Sequence, residues 1–293
     1  MPHLLQNENL SVNIDLPLEN YQQTRYDWSG KITKIIYRDK VITTQENEDS
    51  AVDTIGRGLY NEFGFKQPLG YDEIKPSDWY HKIGVGLLKK DDKPYDFLKT
   101  YEVIPANFKV TKETSQLIIT CQSAVANGYA YELVKKINLL SSGLEISYQL
   151  TNTGEKTIHS NEYIHNFLAV EPSEIAKGCT LKFPFDIKPN QFDEHIDTEN
   201  LLLIGDQDIS VKNSPKAPYF LSDLSGGAPI DARWQFENSV AGIGISESCD
   251  FSSRWVALWG TGHVISPELY LDIHLLPADT QQWTRTFRFY DLD

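Results

Sequence analysis

The sequence predicts an all-β protein on three observations: short segments alternate apolar with polar residues, turn chemistry separates them, and no long stretch repeats apolar residues at helical spacing. The clearest region begins at residues 131–139 (YELVKKINL), which read as a strand ending at the turn Ser141-Ser142-Gly143. Leu144, Ile146, Tyr148 and Leu150 then fall on one face of the next strand. A second turn at 151–155 leads into a third strand at 157–170, and the three together are expected to form an antiparallel meander. Further strands are expected at 31–37, 108–110, 117–123, 179–183, 241–247, 255–258, 271–275 and 282–290. Residues 187–233 carry Pro189, Pro215, Pro218, Pro229 and the pair Gly226-Gly227, so loops with short strands are expected there.

A β chain of 293 residues is long enough to bury one continuous core, and nothing between its halves reads as a linker, so residues 1–293 are taken as one domain. The formal charge of -14 argues against a nucleic-acid partner, because phosphates are held mainly by lysine and arginine. The opening MPHLLQNENL lacks the basic start and apolar run of a secretory signal. No segment approaches the roughly 20 apolar residues of a membrane helix. A cytoplasmic protein without a membrane partner is expected. Cys121, Cys179 and Cys249 are odd in number and lack a CxxC spacing, which suggests reduced thiols rather than disulfides or a zinc site.

Several segments resemble the aldose 1-epimerase and hexose-6-phosphate mutarotase families of the galactose mutarotase-like superfamily. Arg25-Tyr26-Asp27-Trp28-Ser29-Gly30-Lys31-Ile32 is similar to the family's early strand. The turn 151–156 followed by His165-Asn166-Phe167-Leu168 resembles an L-x-N-x-G turn and the strand bearing a catalytic histidine. Ser266-Pro267-Glu268 and Leu276-Pro277-Ala278-Asp279 resemble a C-V-E segment followed by L-x-P-G-E. The resemblance spans most of the chain in the family's order. It implies a large antiparallel β-supersandwich that binds a small-molecule carbohydrate across one concave face and needs neither metal nor organic cofactor.

Interconverting the anomers of a sugar requires one group to take the C1 hydroxyl proton and another to protonate the ring oxygen. The resemblance assigns Asp279 as base and His165 as acid, with Glu268 as the alternative base. Asp279 stands where the family has glutamate, and Ala278 where it has glycine. Alignment on Asn161 would put Glu162 at the histidine position instead. Glu162 and His165 lie on opposite faces of a regular strand, so they cannot share one site without a bulge. Arg57, within the glycine-flanked segment 56–64, is a candidate to grip sugar hydroxyls, its alternative being an ion pair with Glu62 or Asp53. Lys82 is a candidate to border the pocket, and Tyr101 and Trp259 are among the aromatics that could pack on a pyranose face.

Three rival readings remain open at this point. A sugar-phosphate epimerase would want clustered arginines, whereas Arg285 and Arg288 fall on opposite faces of their strand. A carbohydrate-binding protein could keep the fold without the reaction. A glycan-processing enzyme would need two flanking carboxylates, for which Glu268 and Asp279 are available.

Overall fold

The computed structural model describes residues 2–51 and 53–292. Two large antiparallel sheets face one another. The first runs in the order His3–Gln6, Leu10–Asp15, Lys31–Tyr37, Leu59–Phe63, Ile158–Asn166 and Leu271–Leu275, with Lys40–Val41 paired beside Lys31–Tyr37. The second has ten strands, in the order Leu202–Ile204, Asp208–Val211, Cys179–Lys182, Ile230–Asn238, Ile243–Ser253, Thr280–Asp291, Gly143–Asn152, Tyr131–Leu140, Gln116–Gln122 and Asn107–Lys112. A four-stranded sheet (His195–Ile196, Tyr219–Ser222, Val256–Gly260, Ile265–Leu269) and a three-stranded one (Trp79–Lys82, Gly86–Lys89, Val103–Pro105) flank them.

Alternation decides which face each strand buries. Along Thr280–Asp291, Trp283, Arg285, Phe287 and Phe289 are buried while Arg288 is exposed, so the two arginines do lie on opposite faces. Trp283 sits opposite Tyr148 on the neighbouring strand, and their rings stack at 4.9 Å and 8°. Apolar side chains from both large sheets form one core reaching from Leu5 to Phe289. The hairpin turn at Gly84 shows how closely the three-stranded sheet approaches. Gly84 has φ 80, and a Cβ there would lie 2.2 Å from Asp27 Oδ1.

The first two strands of the expected meander pair as read, from Tyr131↔Asn152 to Leu140↔Gly143. The third does not join them. Ile158–Asn166 crosses to the opposite sheet, between Leu59–Phe63 and Leu271–Leu275, and Thr280–Asp291 takes the place beside Gly143–Asn152. Asn152 ties down the crossing: its Nδ2 donates to the carbonyls of Lys156 (2.8 Å) and Leu275 (3.0 Å), and its Oδ1 accepts from Gly154 N (3.0 Å). A strand buried on both faces from Glu162 to Asn166 also fits the middle of a covered sheet better than the wet face of a hairpin.

A polar chain threads the space between the sheets. Asn61 Oδ1 accepts from Lys135 Nζ (2.7 Å) and Tyr148 Oη (2.8 Å), and its amide donates to Glu162 Oε1. Arg285 bridges the carboxylates of Glu162 and Glu247, each at 2.7 Å. Glu247 in turn accepts from Trp234 Nε1 at 2.7 Å. Each charge here has a partner, as buried charge requires.

Candidate active site

Two strands from different sheets build the site. Leu168 and Ile265 exchange backbone hydrogen bonds at 3.1 and 3.0 Å, which holds the end of Ile158–Asn166 against Ile265–Leu269. Asn166 locks the pair, donating from Nδ2 to Pro267 O (2.6 Å) and from its backbone N to Ser266 Oγ (3.0 Å). The strand's alternation sends Glu162 into the polar chain between the sheets and Tyr163 and His165 to the opposite face. Ser266, Glu268 and Tyr270 meet them. Tyr163, His165, Glu268 and Tyr270 line a cavity of about 470 Å³, a volume suited to one small ligand.

The reactive geometry is a short chain of contacts. His165 Nδ1 lies 2.9 Å from Ser266 Oγ, and Nε2 lies 3.4 Å from Glu268 Oε1. Ser266 Oγ also donates to Glu268 Oε1 (3.3 Å), and Tyr270 Oη donates to Oε2 (2.9 Å). Burial pushes the Glu268 carboxyl up to about 8, against the opposing pull of Tyr270 and Arg25. Burial, and then the positive charge of Arg25, holds the His165 imidazole well below its usual value. The 3.4 Å contact therefore joins a protonated carboxyl to a neutral ring at pH 7, not an ion pair. Two groups of different protonation state side by side in a cavity form an acid and a base.

Aromatic rings frame this pair. The His165 ring stacks on Phe167 at 4.1 Å and meets Trp259 edge-on at 5.2 Å. Tyr163 stacks on Tyr270 at 4.4 Å, and Trp255 packs against Tyr270 at 4.2 Å. Arg25 enters from the side, its guanidinium 4.6 Å from the Tyr26 ring and 4.8 Å from that of Phe97. It donates to Glu62 (2.9 Å), Glu46 (3.0 Å) and Tyr163 Oη (3.3 Å), so its charge is already matched by two carboxylates.

The expected site residues thus divide. His165, Glu268 and Trp259 come together in the cavity. Asp279 does not: it is exposed in the turn after Leu271–Leu275, where Oδ2 accepts from Leu276 N at 3.2 Å and the backbone pairs with Asn152. Pro277-Ala278-Asp279 is turn chemistry, and Ala278 there has φ 71, the left-handed conformation that glycine adopts most readily. Asp279→Ala is expected to leave ligand binding in the His165–Glu268 cavity within about twofold of wild type, measured by calorimetry. Arg57 is likewise elsewhere, paired with Asp15 at 3.0 Å in a separate cleft, and neither Glu62 nor Asp53 is its partner.

Lys82 is buried beneath the site rather than bordering it, bonded to Glu62 and Tyr95, each at 3.2 Å. Tyr101 is buried in an aromatic cluster, stacked on Tyr95 at 5.8 Å. Glu162, on the far face of its strand, is committed to Arg285 and Asn61. Sequence reasoning missed Arg25 as a site residue, although it stands in the opening segment 25–32. The partner that aims it, Glu62, is remote in sequence, so nothing local marked it.

A candidate aldose 1-epimerase from Escherichia coli K12 superposes with a TM-score of 0.63 at 10% identity, over 100% of this chain and 99% of that one. A galactose mutarotase-like protein from Clostridium acetobutylicum gives 0.58 at 11%, over 99% and 95%. Both matches run the whole length of the sandwich.

The chain has the galactose mutarotase-like fold.

A third mutarotase-like structure, from Lactobacillus casei ATCC 334, agrees: TM-score 0.57, 12% identity, 99% of this chain and 100% of that one. No protein-family model matches the sequence, and no curated protein matches it. At these identities the mutarotase-like likeness is one of backbone, and the chemistry must be argued from the side chains. Among the described residues, no helix is long and apolar enough to cross a membrane.

Proposed function

We propose that the protein interconverts the anomers of a free hexose by opening and reclosing its ring at His165 and Glu268. The observation that carries this reading is the pairing of a buried carboxyl raised to about 8 with a neutral imidazole 3.4 Å away, facing a cavity of sugar size. The tautomer in which Nδ1–H donates to Ser266 Oγ leaves the Nε2 lone pair free. His165 Nε2 takes the C1 hydroxyl proton while the Glu268 carboxyl gives its proton to the ring oxygen. The C1–O5 bond breaks and the C1 carbonyl forms. The open aldehyde turns about C1–C2 and the steps reverse on its other face, restoring both groups.

These roles differ from the sequence expectation, in which His165 was the acid, because burial acts oppositely on the two groups. Trp259 offers an aromatic edge to the pyranose, and Arg25 offers guanidinium donors to its hydroxyls. The pairing of Arg25 with Glu46 and Glu62 favours neutral hydroxyls over a phosphate. Three free thiols suit a protein working in the cytoplasm.

The reading is tested by anomer-exchange NMR of glucose, galactose and glucose 6-phosphate across pH. Acceleration of the neutral hexoses is expected. Glu268 must be protonated to act, so kcat/KM should fall as pH rises through about 8. On the acid side it should fall only well below pH 6.5, where His165 at last protonates. A rate that climbs steadily from pH 7 to 9 would contradict the assignment of Glu268 as acid.

A further inference from the structure

His159 and His274 stand directly opposite one another on the neighbouring strands Ile158–Asn166 and Leu271–Leu275, and both residues are exposed. Cross-strand partners bring their Cβ atoms to about 4.5–5.5 Å, close enough for two rings to meet. The ring centroids are 4.4 Å apart, the rings are inclined at 75° rather than stacked face to face, and the two Nδ1 atoms lie 3.2 Å apart. Two imidazole lone pairs repel at that distance unless something positive lies between them. In a bare pair this is the Nδ1 proton of one ring. A transition-metal ion meets the same need by accepting both lone pairs, with each ring keeping its proton on Nε2. The spacing suits it. Nitrogens bound at about 2.0–2.1 Å to one ion lie about 3.3 Å apart across a tetrahedral angle and about 2.9 Å apart across a right angle. The observed 3.2 Å falls between those limits.

The surroundings also suit an ion. Neither ring has a second hydrogen-bond partner among the described residues, so no carbonyl or carboxylate holds the Nδ1 lone pairs out of reach. The next cross-strand pair on the same face is Asn161 and Asp272, and Asp272 is exposed, with no basic partner within ion-pair distance among the described residues. The formal charge of -14 draws cations to the surface in general. No group of three His, Cys, Asp or Glu side chains gathers among the described residues, so water has to complete the coordination.

We infer that His159 and His274 form a two-histidine site for one divalent ion of the zinc, nickel or copper class, with water in the remaining positions. Imidazole selects these ions over magnesium and calcium, which prefer oxygen. The site is separate from the candidate acid and base. His159 is six residues from His165, about 20 Å along an extended strand, and neither His159 nor His274 lines the active cavity. The effect of the ion is mechanical: it fastens the strand that carries His165 to its neighbour.

The test titrates nickel, zinc and magnesium chlorides calorimetrically into wild type, His159→Gln, His274→Gln and the double variant, which sets the background from the remaining histidines. Melting temperature is recorded alongside. Nickel and zinc should bind wild type at one ion per chain above that background, and magnesium should not. Either single substitution should weaken binding by about tenfold or more, to the level of the double variant, because the second imidazole binds the ion intramolecularly. Nickel and zinc should raise the melting temperature of wild type and of neither single variant, since the site exists only in the folded sheet. Binding of full strength in either single variant would overturn the paired site. One ion per two chains would overturn it in favour of a site shared between copies. Wild-type binding no stronger than that of the double variant would overturn it too, and leave the pair as a hydrogen bond between two histidines.

Discussion

Glu268→Gln should lower the rate of anomer exchange by about two to four orders of magnitude, the usual contribution of a positioned acid, while raising the stability of the protein in alkaline solution. Glutamine keeps the shape of the side chain and can still accept from Tyr270 Oη, but it has no proton to give the ring oxygen. The stability effect follows from linkage. The Glu268 carboxyl is raised in the folded protein to about 8, above the ordinary value of 4.5, so folding favours its protonated form. The wild-type carboxyl is harmless below the unfolded value and becomes increasingly costly as pH rises towards 8. The variant escapes that cost. Its melting temperature should match wild type near pH 4 and exceed it by several degrees at pH 9, measured by calorimetry. Loss of activity together with gain of alkaline stability is the pattern of a residue kept for chemistry. A variant both inactive and less stable at every pH would assign Glu268 a structural role instead.

Arg285→Met is expected to have the largest effect on stability. It removes the cation between two fully buried carboxylates, Glu162 and Glu247, and leaves them with neutral hydrogen-bond donors only, Asn61 for one and Trp234 for the other. Breaking a buried pair from one side typically costs about 3–5 kcal/mol, and here two anions lose their shared cation. In a chain of this length that corresponds to a fall in melting temperature on the order of 10 °C. The sign of its pH dependence is fixed. Burial already raises the Glu162 carboxyl and Arg285 opposes that rise, so without Arg285 its protonated form is favoured further and the deficit should shrink in acid and grow in alkali. A deficit that did not change between pH 5 and pH 8 would mean that lost packing, not uncompensated charge, is the cause. The test isolates the polar chain because Arg285 does not line the active cavity.

The β architecture was legible because it is written in two-residue alternation and turn chemistry, both local. The strands around 31–37, 131–139 and 282–290 could be read residue by residue, and the opposite facing of Glu162 and His165 follows from alternation alone. What the sequence hides is which strand sits beside which. The 158–166 segment looks like the third strand of a meander, and only the packing of its two buried faces sends it across the sandwich.

The same limit governs the site. His165 carried a motif and lines the cavity. Glu268 ranks below Asp279 in the sequence because the resemblance places the catalytic carboxylate on Asp279. The choice depends on burial, which for Glu268 is nearly complete and for Asp279 is absent. Arg57 was the arginine the sequence offered, whereas Arg25 lines the cavity, for a related reason. Each is one of seven arginines, and what distinguishes them is a carboxylate remote in sequence, Asp15 for one and Glu62 for the other. Lys82, Glu162 and Tyr101 are polar or aromatic side chains that the fold consumes internally, as a broad sandwich with a polar interior must.

The most direct test of the central claim is anomer-exchange NMR on an equilibrated reducing sugar, comparing wild type with Glu268→Gln at pH 7 and equal protein concentration. Wild type should broaden or exchange-couple the α and β anomeric resonances, and Glu268→Gln should return them to the uncatalysed rate while the protein remains folded. Equal exchange in both proteins would contradict the account, because the buried carboxyl would then have no part in the proton transfers.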